Sequence, residues 1–333
     1  MTNSPEPASQ KSSHQSNFSD ANLDLTVTGG RNYWSNQAFT WFVYIFAAIT
    51  VGVLFWMTWI VFQQAKPAIA KFGLGFLFSQ EWDTGNDLFG ALPYIYGTLV
   101  SSAIAILFAF PIGVAVALIT SENFLPRSVR NGFAFVVELI AAIPSIIVGL
   151  WGFFVFVPAT LWFQEGLYKI LGWIPLFNTE SPAGYNMLTA GIVLAIMILP
   201  TLAAISRDVL LVVPKELRSA SMALGSTRWE TVFRVLIPTA FSGIISATML
   251  ALGRALGETM AVTLLIGNSA QISASLLAPA YTIPSVLANE FAEAASELHT
   301  GSLTYLALIL FALTLAVNIA ANFLVQWLGV KTK

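Results

Sequence analysis

Apolar residues along this chain are gathered into six long blocks that are separated by more polar segments. Each block supplies about the 20 apolar residues that a helix needs to cross a hydrocarbon core of about 30 Å. The blocks cover residues 39–62, 93–119, 133–158, 187–205, 238–267 and 303–328. The pattern predicts an all-α polytopic membrane protein with six transmembrane helices.

The first 38 residues differ from the rest, because they are polar and rich in Ser, Asn and Pro. They lack the apolar stretch of a secretory signal peptide. We therefore expect a disordered cytosolic N-terminal tail over 1–38 and a six-span membrane domain over 39–333.

Composition agrees with a membrane protein and excludes several kinds of site. Of 333 residues, 56% are hydrophobic and 10% are charged, whereas soluble domains carry about 25% charge. The chain has no Cys, which excludes disulfides, thiolate nucleophiles and Cys-ligated metals. Its two His residues, His14 and His299, fall in the tail and in an external loop, so we expect no metal site. The net charge of -2 gives no general attraction to nucleic acid.

The positions of Lys and Arg predict the orientation in the membrane. With the tail inside, cytosolic segments hold 11 of the 15 Lys and Arg residues, external loops hold three, and Arg254 lies within a span. The positive-inside rule then places both termini in the cytoplasm, with lipid around the spans.

The segment 206–237 is the longest predicted internal cytosolic loop. Its periodicity predicts two short helices that break at Gly225, with Thr227 and Glu230 as a capping box for the second. The second would bury an apolar face of Val232, Phe233, Leu236 and Ile237. A rigid helix pair of this kind can transmit force from a soluble partner. The alternative is an interfacial helix lying on the lipid.

This loop resembles the EAA loop of ABC importer permeases, whose pattern reads E-A-A-x3-G-x9-I-x-L-P. Gly225 and Pro238 match that spacing, while Ser219 stands where the family often has Glu. The resemblance implies contact with a partner ATPase through the matching positions. These are Ser219, Ala220, Gly225, Val235, Ile237 and Pro238.

Four further runs are similar to the PstC type of phosphate importer permease, and the likeness extends over about residues 90–328. They are ALPYIYGTLVSS at 91–102, AAIPSIIVGLWG at 141–152, ALGRALGETMAVTLLIGN at 251–268 and TIPSVLANEF at 282–291. The resemblance implies a transport subunit of the bacterial inner membrane and not an enzyme. Its expected partners are a PstA-like second permease, two PstB-like ATPases and an external PstS-like phosphate-binding protein. No cofactor or metal is expected on this chain.

Two charged residues, Arg254 and Glu258, fall inside the fifth block. A charge at the bilayer centre costs at least about 2.5–3.5 kcal/mol. Spacing of four residues on a helix would let the two side chains pair. The small residues Gly253, Gly257 and Ala261 would admit another helix closely. We expect a translocation path in which Arg254 meets the anion and Glu258 holds Arg254 when the path is empty. A purely structural ion pair is the alternative.

Glu138, near the cytosolic end of the third block, is the third candidate for the path. A structural role and a role in transport are equally compatible with its position. Pro144 in the same block is expected to kink the helix. Trp162, Tyr168 and Trp173 in the next external loop are expected to anchor it at the membrane interface.

The last external loop, 268–302, predicts an amphipathic helix with an apolar stripe through Val286 and Phe291, and Glu290, Glu293 and Glu297 on another face. A docking surface for an external binding protein is compatible with it.

Two alternatives to phosphate import remain open from the residues. The substrate could be another oxyanion such as molybdate or sulfate, since the loop spacing does not separate them. The chain could instead be an ion-coupled transporter or a channel that uses Glu258. The sequence contains no G-x-x-x-x-G-K-[ST] motif, so ATP hydrolysis is expected on separate subunits.

Overall fold

A computed structural model describes residues 33–180 and 182–328 of the chain, with side chains described within 37–180 and 182–323. The first helix begins at Tyr33, so it includes the last residues of the segment predicted as a tail. Residues 1–32 of that predicted tail, including His14, lie outside the described part.

The described chain is built from helices, and its only extended pairing consists of isolated bridges between Asp83 and Leu88 and between Gly267 and Ala280. The α-helices are α1 (Tyr33–Phe72), α2 (Leu92–Ser121), α3 (Arg127–Ala141), α4 (Ser145–Trp151), α5 (Val157–Leu171), α6 (Met187–Val212), α7 (Lys215–Ala223), α8 (Arg228–Thr231), α9 (Ile237–Leu256), α10 (Met260–Leu265), α11 (Ile283–Glu290) and α12 (Glu297–Leu328).

Six helical stretches of the described residues are long and apolar enough to cross a membrane, which confirms the predicted all-α fold with six spans. They are Gln37–Leu77, Leu92–Ser121, Ser145–Leu171, Met187–Val212, Arg228–Leu256 and Glu297–Phe323.

The third span is displaced from its prediction. The predicted block 133–158 contains a break at 142–144, with Pro144 in an extended conformation at the start of α4. Proline disfavours a helical conformation at the residue before it, so the helix ends there rather than bending. The span is Ser145–Leu171, in which a π-helical turn, Gly152–Phe156, joins α4 to α5. The preceding helix α3 is separate and buries none of its residues.

The fifth span also differs from the predicted 238–267. Helix α8, a π-helical turn over Val232–Leu236 and helix α9 run without interruption from Arg228 to Leu256. Pro238 lies inside this continuous helix, directly after the π-helical turn, and it offers no N–H to the preceding turn. The chain then leaves the helical conformation at 257–259 and resumes as α10.

The core of the described chain lies where α2, α6, α9 and α10 pack together. Its largest fully buried side chains include Leu194, Ile198 and Leu202 of α6 and Leu265 of α10. Facing alanines, such as Ala105 and Ala109 on α2, are buried in the same cluster. Small residues at these positions let the helix backbones approach closely, as is usual in membranes.

Gly97 on α2 marks the closest of these approaches. A Cβ atom placed on Gly97 would lie 2.2 Å from the carbonyl oxygen of Tyr281. Residue 281 immediately precedes α11, so the segment before α11 is held directly against α2. Only glycine leaves room for that carbonyl.

We expect Gly97→Ala to lower the free energy of unfolding by about 1–3 kcal/mol, because the added methyl group meets rigid backbone. Thermal denaturation of the purified protein would measure the loss. Gly132→Ala on α3 is the matched control, since no atom lies within 4 Å of a Cβ there. Equal midpoints for the two variants would contradict the close approach.

Candidate functional site

Arg254 lies in the last turn of α9 and points away from the core. Its Nη1 donates a hydrogen bond of 3.1 Å to Oγ1 of Thr201, which lies on α6 beside Pro200. The side chain is exposed, and a cation near a helix C-terminus is stabilised by the helix dipole. The guanidinium therefore stands on an open surface that α6 and α9 form together.

Glu258 does not share a helix face with Arg254, so the predicted pairing by helical spacing is wrong for this conformation. Helix α9 ends at Leu256, and residue 258 lies in the non-helical link before α10. Among the described residues, Arg218 forms an ion pair with Glu122, and Glu290 lies within hydrogen-bonding distance of His299, but neither Arg254 nor Glu258 forms an ion pair. Gly257 causes the difference, because it caps α9 and its N–H donates to the Gly253 carbonyl.

The small-residue surface beside Arg254 is uncovered. A Cβ on Gly253 would meet no atom within 4 Å, and one on Gly257 would meet only carbonyls of its own turn. No helix of the described chain packs there. Ala261, in contrast, lies against Gly149 of α4.

Glu138 lies on α3, which precedes the third span, and its side chain is exposed. The prediction that it lies inside that span is wrong, because the break before Pro144 separates α3 from the span. No ion pair connects Glu138 to another described residue.

The loop between the fourth and fifth spans contains the predicted helix break and cap. It is shorter than the predicted 206–237, since α6 continues to Val212. Helix α7 ends at Ala223, Gly225 adopts a left-handed conformation with φ of 88°, and both hydrogen bonds of the Thr227–Glu230 capping box are present. The second helix is not separate, because it continues as the fifth span.

The six predicted ATPase-contact residues divide between these two helices. Ser219 and Ala220 are exposed on α7, and Gly225 is exposed in the turn that follows. Val235 and Ile237 are half-buried and Pro238 is exposed, all within the helix that leads to Arg254. Of the predicted apolar face, Val232 and Leu236 are buried, but Phe233 is exposed and stacks on Trp229.

An unpredicted polar contact holds α7 in place. Arg218 of α7 forms an ion pair of 2.8 Å with Glu122, which follows the last residue of α2. The two residues are 96 positions apart. In the sequence, each looks like an ordinary charged residue of a surface loop.

A second unpredicted polar cluster lies at the opposite end of the helix bundle, where α11 meets α12. His299 lies in the first turns of α12 and is only 7% exposed, not in a loop as predicted. Its Nε2 lies 3.2 Å from Oε2 of Glu290, and Nε1 of Trp82 donates to the same oxygen at 2.9 Å. Nearby, burial raises the pKa of Tyr281, whose hydroxyl accepts a hydrogen bond from Asn289. No group of three metal-binding side chains occurs among the described residues.

This end also corrects two expectations about the external loops. Trp162 and Tyr168 belong to α5, so the loop that was predicted to hold them is shorter, and Trp173 follows α5 as an exposed residue. The amphipathic helix predicted in 268–302 exists only in part, because α11 ends at Glu290 and Glu297 begins α12. Glu290, Glu293 and Glu297 therefore do not share a helix face, and α11 buries Val286 while Phe291 after it is about half exposed. Glu290 faces inward to His299.

The sequence is similar to those of known membrane transport proteins. Residues 109–333 match the family described as "Binding-protein-dependent transport system inner membrane component". A phosphate transport system permease protein PstC from Mesorhizobium japonicum is 44% identical, over 82% of this chain and 84% of that protein. PstC from Pasteurella multocida is 40% identical, over 88% and 90% respectively.

Solved structures share the fold at low sequence identity. A bacterial alginate ABC transporter in complex with an alginate pentasaccharide-bound periplasmic protein has a chain that is 17% identical, with a TM-score of 0.55 over 90% of this chain and all of that one. An inward-facing MetNI methionine ABC transporter chain is 18% identical, with a TM-score of 0.51 over 72% of this chain and 94% of that one.

We expect Thr227→Ala to loosen the start of α8, because a lost N-cap costs about 1 kcal/mol. Amide hydrogen exchange over 228–236 should become about fivefold faster, the factor that corresponds to that free energy. Ser219→Ala is the control, since its hydroxyl bonds only a carbonyl of its own helix. Unchanged exchange in Thr227→Ala would show that tertiary packing, not the cap, holds this turn.

Proposed function

This chain belongs to the PstC family of phosphate transport permeases, within the binding-protein-dependent inner membrane components, and we propose that it lines the phosphate path of an ATP-driven importer. As a member, it is a multi-pass membrane transport subunit and not an enzyme. Such an importer works with ATPase and binding-protein partners. The finer assignments below are ours.

One observation carries the proposal, namely an exposed arginine on a membrane-embedded surface without a carboxylate partner among the described residues. Within the described part of the chain, the polar contact of the Arg254 side chain is the Thr201 hydroxyl. An arginine facing lipid is costly, so this surface must meet protein or water. The planar guanidinium matches the oxygens of a phosphate group in a bidentate manner. The substrate of the named relatives is such an anion.

A second permease of the PstA type would cover this surface. The bare backbone at Gly253 and Gly257 would admit a helix of that partner closely, which compensates for the absence of a covering helix in this chain. The anion would then pass between the two permeases, along a wall that contains Arg254 and Thr201.

Glu258 is proposed to act in another step of the cycle. It lies in the link between α9 and α10, where the backbone can change conformation without breaking a helix. Re-forming the helical turn would bring its carboxylate to the face of Arg254, where it would compete with the anion. Glu138 receives no contact with the anion in this proposal, because α3 lies outside the spans.

The exposed surface of α7 and the adjoining turn would dock two PstB-like ATPases, with Ser219, Ala220 and Gly225 at the contact. The unbroken helix from Arg228 to Leu256 supports this role. A push on its first turn would travel along the axis to Arg254, because a hydrogen-bonded helix is stiff along its length.

The orientation follows from the same assignment. The α7 end would face the bacterial cytoplasm together with both termini, as the distribution of Lys and Arg indicates. The opposite end, with α11, would face a PstS-like phosphate-binding protein. The membrane would be the bacterial plasma membrane.

Labelled phosphate uptake would test the function in proteoliposomes that contain this chain, its permease partner and the ATPase. Binding protein is supplied outside and ATP is trapped inside. Uptake should require both, and unlabelled phosphate should compete while sulfate and molybdate should not. Competition by either of those ions would overturn the substrate assignment. Uptake without ATPase or binding protein would favour an ion-coupled transporter.

We expect Arg254→Gln to abolish phosphate uptake while the complex still assembles, because the amide keeps a polar side chain of the same initial shape but removes the charge and the guanidinium. Uptake and co-purification of the subunits would be measured together. Arg127→Gln is the control, since Arg127 is exposed at the start of α3 and outside the spans. Loss of assembly in Arg254→Gln would mean that the arginine is mainly structural.

Thr201→Val should reduce uptake about threefold to tenfold, because a hydrogen bond to a charged group is worth roughly 1.5–3 kcal/mol and water replaces part of it. Thr201→Ser retains the hydroxyl and should transport like the wild type. Equal uptake by the Val and Ser variants would remove Thr201 from the path.

A further inference from the structure

We propose that Arg218 is a positioning residue that fastens the ATPase-contacting helix α7 to the ends of α2 and α6, so that α6 and α9, the two helices of this chain's wall of the path, move together. The inference rests on the proposed function, because it assumes that α7 receives force from an ATPase. It assigns the transmission of that force to one side chain.

All three guanidinium nitrogens of Arg218 are engaged. Nε and Nη2 both donate to Oε1 of Glu122, at 3.1 and 2.8 Å. Nη2 also donates to the Leu210 carbonyl at 2.9 Å, and Nη1 donates to the Val213 carbonyl at 2.7 Å. These carbonyls belong to the C-terminal end of α6, where the helix dipole favours a cation. One side chain thereby joins three helices.

Little else attaches α7 to the membrane domain. None of its residues is buried, and Arg218 and Ser221 are half-buried while the other residues of α7 are exposed. The Ser221 hydroxyl lies 3.0 Å from that of Thr231, on the helix that follows α7. The only side-chain hydrogen bonds from α7 to α2 or α6 within the described residues are those of Arg218.

Further side-chain contacts hold the turn after α2, which contains Glu122. Besides Glu122, it includes Asn123, whose Oδ1 accepts from Nη1 of Arg130 at 2.9 Å, and Phe124, whose ring stacks on Trp229 with centroids 5.0 Å apart. The side chains of Arg218 and Glu122 are 17% and 16% exposed. Partial burial keeps the pair from being screened like a surface ion pair.

The contacts of Arg218, called the tie below, act together with the continuous helix that links α8 to Arg254. Motion of α8 reaches Arg254 directly, because α8 and α9 are one helix. Motion of α7 reaches Thr201 through α6, by way of the short link 213–214 and the contacts of Arg218. With the tie intact, the two residues of the proposed path shift in step. Without it, α7 would pivot about the link 213–214, and the ATPase would move less phosphate for each ATP.

The test uses the reconstituted complex and compares Arg218→Met with Arg127→Met, which removes an exposed arginine without polar contacts among the described residues. We expect Arg218→Met to keep ATP hydrolysis while phosphate moved per ATP falls about tenfold, within the range typical of coupling between sites. Arg127→Met should match the wild type. A proportional loss of hydrolysis and uptake in Arg218→Met, together with a lower denaturation midpoint, would overturn the proposal.

Glu122→Gln keeps the proposal testable if Arg218→Met does not assemble, because the amide retains shape and one acceptor. It should lower the same ratio, and adding Arg218→Met should lower it little further, since both changes break one contact. Fully additive losses would contradict a shared tie.

A second measurement is independent of phosphate. The chain contains no Cys, so spin labels can be placed at exposed Ala115 on α2 and Glu216 on α7. A non-hydrolysable ATP analogue should leave their distance unchanged in the wild type and alter it in Arg218→Met. A change in the wild type would refute the rigid tie even if uptake succeeds. Failed uptake with a constant distance would instead overturn the substrate assignment alone.

Discussion

Satisfaction of backbone hydrogen bonds is the constraint on which this structure depends. In a hydrocarbon layer, each N–H and C=O must find a partner within its own helix, so a break is tolerated only against protein or water. The described helices break at Pro144, Pro214, Gly225 and Gly257, and these breaks divide the chain into its working parts. Three of them bound the ATPase-contact segment or separate α3 from its span. The fourth stands next to Arg254.

Different interactions stabilise the centre and the two ends of the molecule. The centre is held by apolar side chains and small residues between α2, α6, α9 and α10. Both ends are held by a few polar side chains, namely Arg218 with Glu122 at one and Glu290 with His299 at the other. Apolar contact resists relative rotation only weakly between similar surfaces, whereas a guanidinium with four hydrogen bonds fixes distance and direction. The ends are therefore suited to transmit motion that the centre accommodates.

The proposed path lies where α6 and α9 leave a polar surface uncovered. A single permease cannot enclose an anion with Arg254, because nothing in the described chain stands opposite it. A partner's surface would complete the path, and relative motion of the two permeases would open or close it. In the proposed assembly, one cause accounts for both the uncovered glycines and the lack of a carboxylate beside Arg254 among the described residues, namely that a second permease supplies the other half of the transport unit.

The sequence alone determined the class, the six spans, the helix break at Gly225 and the cap at Thr227, because each depends on local composition or spacing. It could not place the third span, since the apolar run continues across Pro144 and only the backbone there decides between a kink and a break. It misplaced Glu258 for a similar reason, because Gly257 ends the helix that the spacing argument assumed. The contacts of Arg218 and His299 were decided by tertiary structure, which brings together residues whose separation along the chain hides their proximity.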